Sequence, residues 1–410
     1  MIGFYNQQMK NVLKTKLTNV KCREIVFLLA VFLLVVIPKG GFKIAGIPIT
    51  WGYLYLGFLS VLSLFIIGLK SQFKVPNKAF IAYVATLPFV AYFTLHLLIN
   101  GYQGSLGNLI SFYVSFVFLP LLFYIFLSSF LKKINTAYMA SIISKAVFIV
   151  ALYGIFLFVY KQVVGHFLEI PYITVNAGDL GELDSSKFNQ RGSVSKLIST
   201  YNNGNIFGVC ILMLFPIFYE YTKSKIKIIT VVLALLLTLS RTVWIGLIFY
   251  FLFLYRNQVL KLVKVYLLGG LLLLFLGSII MTRYFQYGSL GGFILDSNLG
   301  GRILQIRKSN EITFFGSTVY NAIEEIVYLS IFKQFGLVGL ALFCLSFFTP
   351  VYLFLKTKNN NFIYFMGVIT YLFVCLSDGC ILLIPTLAFF YFICVMTFIR
   401  DNSSQQQDIA

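Results

Sequence analysis

IKIITVVLALLLTLSRTVWIGLIFYFLFLY, residues 226–255, is apolar along almost its whole length and carries Ser240-Arg241-Thr242 at its middle. A helix crossing about 30 Å of hydrocarbon needs about 20 residues, so the stretch is one over-long span or two short ones. A single span strands Arg241 near the bilayer centre, where a guanidinium costs roughly 2.5–3.5 kcal/mol on insertion scales. A turn at Ser240-Arg241-Thr242 brings that charge to the surface. The stretch therefore reads as a hairpin of two short spans, 226–239 and 242–256.

That choice sets the sidedness of everything downstream. With the hairpin counted as two, hydropathy predicts twelve spans, at about 25–38, 48–69, 79–99, 108–131, 138–162, 201–221, 226–239, 242–256, 262–281, 325–355, 361–377 and 380–399. With the N-terminus inside, Lys70, Lys74 and Lys78, then Lys132 and Lys133, Lys223, Lys225 and Lys227, and Lys356 and Lys358 all fall in short inner loops. The outer turn 100–107 carries no charge. This is the positive-inside pattern, and merging the hairpin into one span would invert it beyond residue 240. The expected fold is an all-α polytopic membrane protein of about twelve transmembrane helices. It is a single membrane domain over residues 1–410, with both termini cytoplasmic.

Composition agrees with this class. The chain is 59% hydrophobic and only 11% charged, beyond what a soluble core needs. Its net charge of +19 is dispersed through short loops, which fits topology and the anionic headgroups of membrane lipids better than nucleic acid. The apolar segment after Arg23 ends in Pro38-Lys39-Gly40-Gly41, which lacks the small-x-small pattern of a cleaved signal peptide. The cysteines lie mostly in or beside spans and form neither a disulfide framework nor a metal-ligand spacing. His96 and His166 are too far apart for a zinc site and read as interface or packing residues. Neither a metal nor a cofactor is implied.

Two outer segments exceed ordinary turns: residues 163–200 and residues 282–324. Loops of this length are functional or disordered more often than not. The second, rich in Phe and Ile between its glycines, is expected to fold as a cap on the membrane surface. Four groups of residues in and around these loops could carry chemistry. Arg241 can offer a bidentate fork to a phosphate, or snorkel to headgroups. Gly300-Gly301-Arg302 is followed by Arg307 and Lys308, which form a cationic site for a diphosphate or a plain basic helix. Glu324 and Glu325 open a span, where acids complement the helix dipole or one serves as a general base. Arg191 and the Asn-rich turn Tyr201-Asn202-Asn203-Gly204-Asn205 can hydrogen-bond a glycan or simply turn the chain. Asp378, in the turn before the last span, reads as a connector.

In this order of motifs the chain resembles the O-antigen ligase and polymerase family of bacterial membrane glycosyltransferases. An Asn-rich turn opens a span, Ser240-Arg241-Thr242 turns a hairpin, Gly300-Gly301-Arg302 lies in a long outer loop, and Gly336-Leu337-Val338-Gly339-Leu340 follows in a span. The resemblance covers roughly residues 190–350. It implies a metal-independent enzyme at the outer face of the bacterial cytoplasmic (inner) membrane, acting on undecaprenyl-diphosphate-linked glycans, with a chain-length regulator protein as a partner. Arg241 and Arg302 would correspond to the family's essential arginines. Ligases carry a histidine-asparagine pair before the Gly-Leu-x-Gly motif, at the position that falls here on Glu325-Ile326. The departure favours polymerase over ligase. A lipid-linked oligosaccharide flippase is the alternative from another class. The resemblance thus makes Glu325, Arg241 and Arg302 the expected catalytic set, with Arg191, Asn205, Arg307, Lys308 and Glu324 around the substrate.

Overall fold

The computed structural model describes residues 21–44, 47–69, 74–102, 104–186, 189–191, 194–258, 305, 314–317, 323–356 and 361–398. It is 74% helix. The helices are α1 (21–36, π-helical over Phe32–Val36), α2 (Trp51–Leu69), α3 (Asn77–Asn100), α4 (Leu106–Leu131), α5 (Thr136–Val164) and α6 (Gly204–Tyr221). Then come α7 (Lys225–Leu237), α8 (Arg241–Leu254), α9 (Val327–Leu355), α10 (Phe362–Val374) and α11 (Thr386–Phe398). By length and composition α3, α4, α5, α6 and α9 can each cross a membrane. The expected span 262–281 and most of the expected cap 282–324 lie outside the described residues.

Residues 238–240 do turn the chain between α7 and α8. Leu239 takes a left-handed φ of 52° there, and the Trp244 indole closes the turn by donating to the Leu236 carbonyl at 3.0 Å.

The helices surround α6. Its apolar stretch is 78% buried, against 33–44% in the other four long helices. Gly367 lets α10 approach α6 so closely that a Cβ there would meet the Met213 carbonyl at 2.4 Å. Peripheral helices instead expose apolar stripes. On α5, Ile149, Leu152, Phe156 and Val159 recur at helical spacing, all about half exposed. In water such a stripe would be an aggregation hazard; against lipid tails it is the expected exterior.

The two ends of the bundle differ in chemistry. At one, Tyr138 donates to the Glu24 carbonyl at 3.4 Å, Asn361 to that of Met396 at 2.8 Å, and Arg256 lies over Phe253 at 4.6 Å. Lys74, Lys132, Lys223, Lys225 and Lys356 also lie at this basic end. The opposite, loop end holds the segments after α1, α5, α7 and α10. Tyr201 donates to Val35 O at 3.0 Å, Leu197 N to Leu237 O at 2.9 Å, and the Trp51 indole to Tyr172 O at 2.7 Å.

The loop after α5 is folded. Phe167, Val175, Leu183 and Ile198 bury themselves around Leu157. Asp184 pairs with Lys161 at 2.6 Å and accepts from Phe167 N. An antiparallel hairpin, β1 (Gly41–Ile44) and β2 (Ile47–Thr50), joins α1 to α2, and Lys43 forms an ion pair with Asp179 of the loop. A second small ladder pairs β3 (Gln190–Arg191) with β4 (Val194–Ser195).

One helix is broken. At Gly336 the backbone turns to φ 67°, ψ −168°, dividing α9. The strap Phe314–Ser317 fills the break: Ser317 N donates to the Lys333 and Gln334 carbonyls at 3.1 Å, and Tyr92 Oη bonds the carbonyls of Phe315 and Phe335 at 2.8 and 3.0 Å. Irregular backbone at this depth is tolerated only where protein supplies the missing partners. Tyr92→Phe is therefore expected to cost about 0.5–1.5 kcal/mol, the net worth of an ordinary hydrogen bond, by taking the shared donor from these two carbonyls. Unfolding of the detergent-purified variant checks this, and an unchanged midpoint would mean that the backbone bonds of Ser317 and Val338 hold the strap without it.

Candidate functional site

Three helices begin at the loop end around one turn, Cys375–Cys380. The start of α9 is tied to it by Val327 N→Cys375 O and Gly379 N→Glu325 O, both 3.2 Å. The start of α8 meets it through the Thr242 and Ser377 hydroxyls, 2.9 Å apart. The start of α6 reaches it through Asn205, whose Nδ2 donates to Asp378 Oδ2 at 2.7 Å. Asn203 prepares that contact by capping α6, accepting from Asn205 N at 2.8 Å and Ile206 N at 3.3 Å.

Asp378 is thus a core group. Its residue is 3% exposed, and the Cys380 thiol donates to its other oxygen, Oδ1, at 3.2 Å. The connector expected from sequence is buried and tied to the start of α6, within a turn whose other residues meet the starts of α8 and α9. Burying a carboxylate costs free energy unless it is hydrogen-bonded, and here both oxygens are. The segment Ser377-Asp378-Gly379 gave no hint of this, because any surface turn can have that composition.

The expected site residues divide. Arg241 is the first residue of α8, half-buried, and next to Thr242, which touches the central turn. Glu325 is half-buried, with its carbonyl bonded to Gly379 and its carboxylate in electrostatic range of Cys380. Glu324 is exposed and turns the other way, 3.9 Å from Lys333. It lies beside the first turn of α9 rather than over the central turn, because adjacent positions at a helix start point in different directions. Asn205 is in the cluster. Arg191 is in β3, and only its backbone is described. Arg302, Arg307 and Lys308 lie outside the described residues. Gln305, between them in sequence, accepts from Ile326 N at 3.5 Å and from Lys333 Nζ, against the start of α9.

Among the described residues no group of His, Cys, Asp and Glu is arranged to hold a metal ion. All six cysteines are free thiols. His96 packs its ring against that of Phe335, 5.4 Å away, and His166 lies exposed beside Tyr160. No protein-family model matches the chain, and no curated protein matches it.

The arrangement offers an amide, a buried carboxylate, a half-buried carboxylate and a guanidinium around the starts of three helices, at the end opposite Lys74, Lys132, Lys223, Lys225 and Lys356. Helix starts carry partial positive charge and unpaired N–H groups, so they add to the pull on an anion. A carboxylate beside them can take a proton from a hydroxyl held at the same surface.

Proposed function

We propose that this protein polymerises lipid-linked oligosaccharide repeat units at the outer face of the bacterial cytoplasmic membrane, as an O-antigen or capsule polymerase of the family it resembles. The observation that supports the reading is the meeting of the Asn-rich turn, the Ser240-Arg241-Thr242 turn and the Glu325 helix start on one turn, Cys375–Cys380. These motifs are far apart in sequence. A flippase is expected to place its charges and broken helices at the bilayer midplane; here Asn205, Arg241, Glu325 and Asp378 come together at the loop end. In this reading the lysine-rich end is cytoplasmic, the chain makes twelve spans, and the loop end faces outward.

The substrates are two undecaprenyl-diphosphate-linked glycans. Glu325 takes the proton from a hydroxyl of the acceptor. The hydroxyl oxygen bonds to the anomeric carbon of the donor chain, and the bond from that carbon to the diphosphate breaks. Undecaprenyl diphosphate leaves, its charge met by Arg241 and Arg302. Attack from the opposite face inverts the anomeric carbon. Asp378 and Asn205 fix the start of α6 to the central turn, and a chain-length regulator would act on this enzyme from outside the site.

Glu325→Gln is expected to lower polymer formation about a hundred- to ten-thousandfold, the usual worth of a general base, without changing stability. The check is the surface-glycan ladder of a deletion strain complemented with each version. Single repeat units on the anchor with Gln, and a full ladder with Glu, fit a polymerase. Long polymer stranded on undecaprenyl diphosphate would mean a ligase, and an unchanged ladder would remove Glu325 from the reaction.

A further inference from the structure

A cleft beside α1 has no part in the reaction above. Val26, Ala30 and Leu34 line it at helical spacing, with Phe130 of α4 and Phe389 and Phe392 of α11. Buried side chains of α2, α5 and α6 form its floor, and every lining residue is apolar. Val26, Ala30, Phe130 and Phe392 are only half-buried, so the cleft opens on their side. Water finds no hydrogen-bond partner in such a lining, and an empty gap forfeits the contacts its walls would otherwise make. In a helix bundle surrounded by lipid, a hydrocarbon chain is what fills it.

The depth and the rim say which chain. Along α1 the cleft runs from Val26 to Val35, about 13 Å at 1.5 Å per residue. That is close to half of the roughly 30 Å of hydrocarbon, the share of one leaflet. Its lower limit is at the basic end, where the lining residue Leu131 ends α4. Lys132 and Lys133 follow directly and are exposed. Their turn rests on the lining itself, through Lys133 N→Phe130 O at 3.0 Å and Ile134 N→Leu131 O at 3.1 Å. Arg23 lies one turn before Val26 and Phe27 on α1. The bond from Tyr138 to the Glu24 carbonyl ties that turn to the start of α5, just after Lys133. Among the described residues this rim carries Lys21, Arg23, Lys132 and Lys133 against one acid, Glu24. An apolar cleft alone would accept any lipid chain; cations at its mouth select an anionic headgroup.

We propose that the cleft binds an anionic phospholipid from the leaflet at the basic end, with one acyl chain between α1, α4 and α11 and its phosphate at Arg23, Lys132 and Lys133. The site does not depend on the reaction proposed above, in which the diphosphate of the lipid-linked substrate meets Arg241 at the opposite end.

The test uses the full-length protein, stripped of lipid in detergent, with phosphatidylglycerol and phosphatidylcholine as probes and native mass spectrometry to count bound lipid. The parent is expected to hold phosphatidylglycerol about tenfold or more tightly than phosphatidylcholine, since each cation near an anionic headgroup contributes about fivefold. Lys132→Gln combined with Lys133→Gln should remove most of that preference and leave phosphatidylcholine binding unchanged. Ala30→Phe fills the cleft and should abolish binding of both lipids there, whereas Ile149→Phe, on the exposed stripe of α5, should bind as the parent does. Thermal unfolding separates lost binding from lost fold: phosphatidylglycerol should raise the midpoint of the parent and of Ile149→Phe, and not that of Ala30→Phe. Should Ala30→Phe fail to fold, the rim variant decides, because it leaves the packing untouched. Equal affinity of the parent for the two lipids, or a preference that survives in the rim variant, would overturn the proposal. Undecaprenyl phosphate displacing phosphatidylglycerol equally from the parent and the rim variant would overturn it in favour of an isoprenoid chain. A dimer of the lipid-free parent that Ala30→Phe breaks would overturn it in favour of a second copy of this chain.

Discussion

Arg241→Lys is expected to cut polymer formation about a hundred- to a thousandfold, the range lost when one preorganised charge-stabilising donor is removed. Lysine keeps the charge and the length, so insertion and sidedness should survive. What it loses is the planar fork that engages two phosphate oxygens at once. Arg241 stands at the first position of α8, where in the proposed reaction the helix dipole and the guanidinium would act on the same diphosphate. Single-turnover polymerisation by purified protein, with a lipid-linked repeat unit as both donor and acceptor, gives the number directly. A ladder of normal length and rate from Arg241→Lys would show that the residue only anchors the turn at the interface.

The second large effect is expected from Gly336→Ala. A Cβ at this position would lie 2.2 Å from the Phe314 carbonyl oxygen and 2.5 Å from Gly316 N, neither of which can swing aside as a flexible side chain would. The φ of 67° with ψ of −168° is a conformation that only glycine adopts without strain. Gly316 faces the same constraint in return: its own Cβ would meet the Gln334 carbonyl at 2.2 Å. Backbone strain of about 1–3 kcal/mol and overpacking of a further 1–3 kcal/mol together approach the whole stability of a marginal protein. The strap Phe314–Ser317 should come away from α9. Hydrogen exchange at Ser317 and Val338 reports this locally, and thermal unfolding reports it globally. Gly57→Ala is the matched control, since nothing lies within 4 Å of a Cβ there. Equal behaviour of the two variants would refute the packing argument.

The hairpin at Ser240-Arg241-Thr242 was legible from one charge, because hydrocarbon penalises a guanidinium regardless of what surrounds it. The helical segments were legible for the same reason: span length follows from membrane thickness. The β1–β2 hairpin was not. Residues 39–47 fell between the expected spans 25–38 and 48–69, β2 takes up the expected start of the second, and the partner that orders the hairpin, the loop around Asn176 and Asp179, lies far along the chain.

Asp378 is the clearest divide. Its sequence neighbours describe a loop, while Asn205 and Cys380 make it a buried hub. Glu324 and Glu325 show the same limit at closer range, since identical side chains on adjacent residues differ only in the direction that the helix start imposes. Sequence alone determined the class and the helix-forming segments, because each depends on the transfer of residues between water and hydrocarbon. Which helix starts meet and which carboxylate is buried were decided by tertiary structure. Those depend on contacts between residues more than a hundred positions apart, and composition does not encode them.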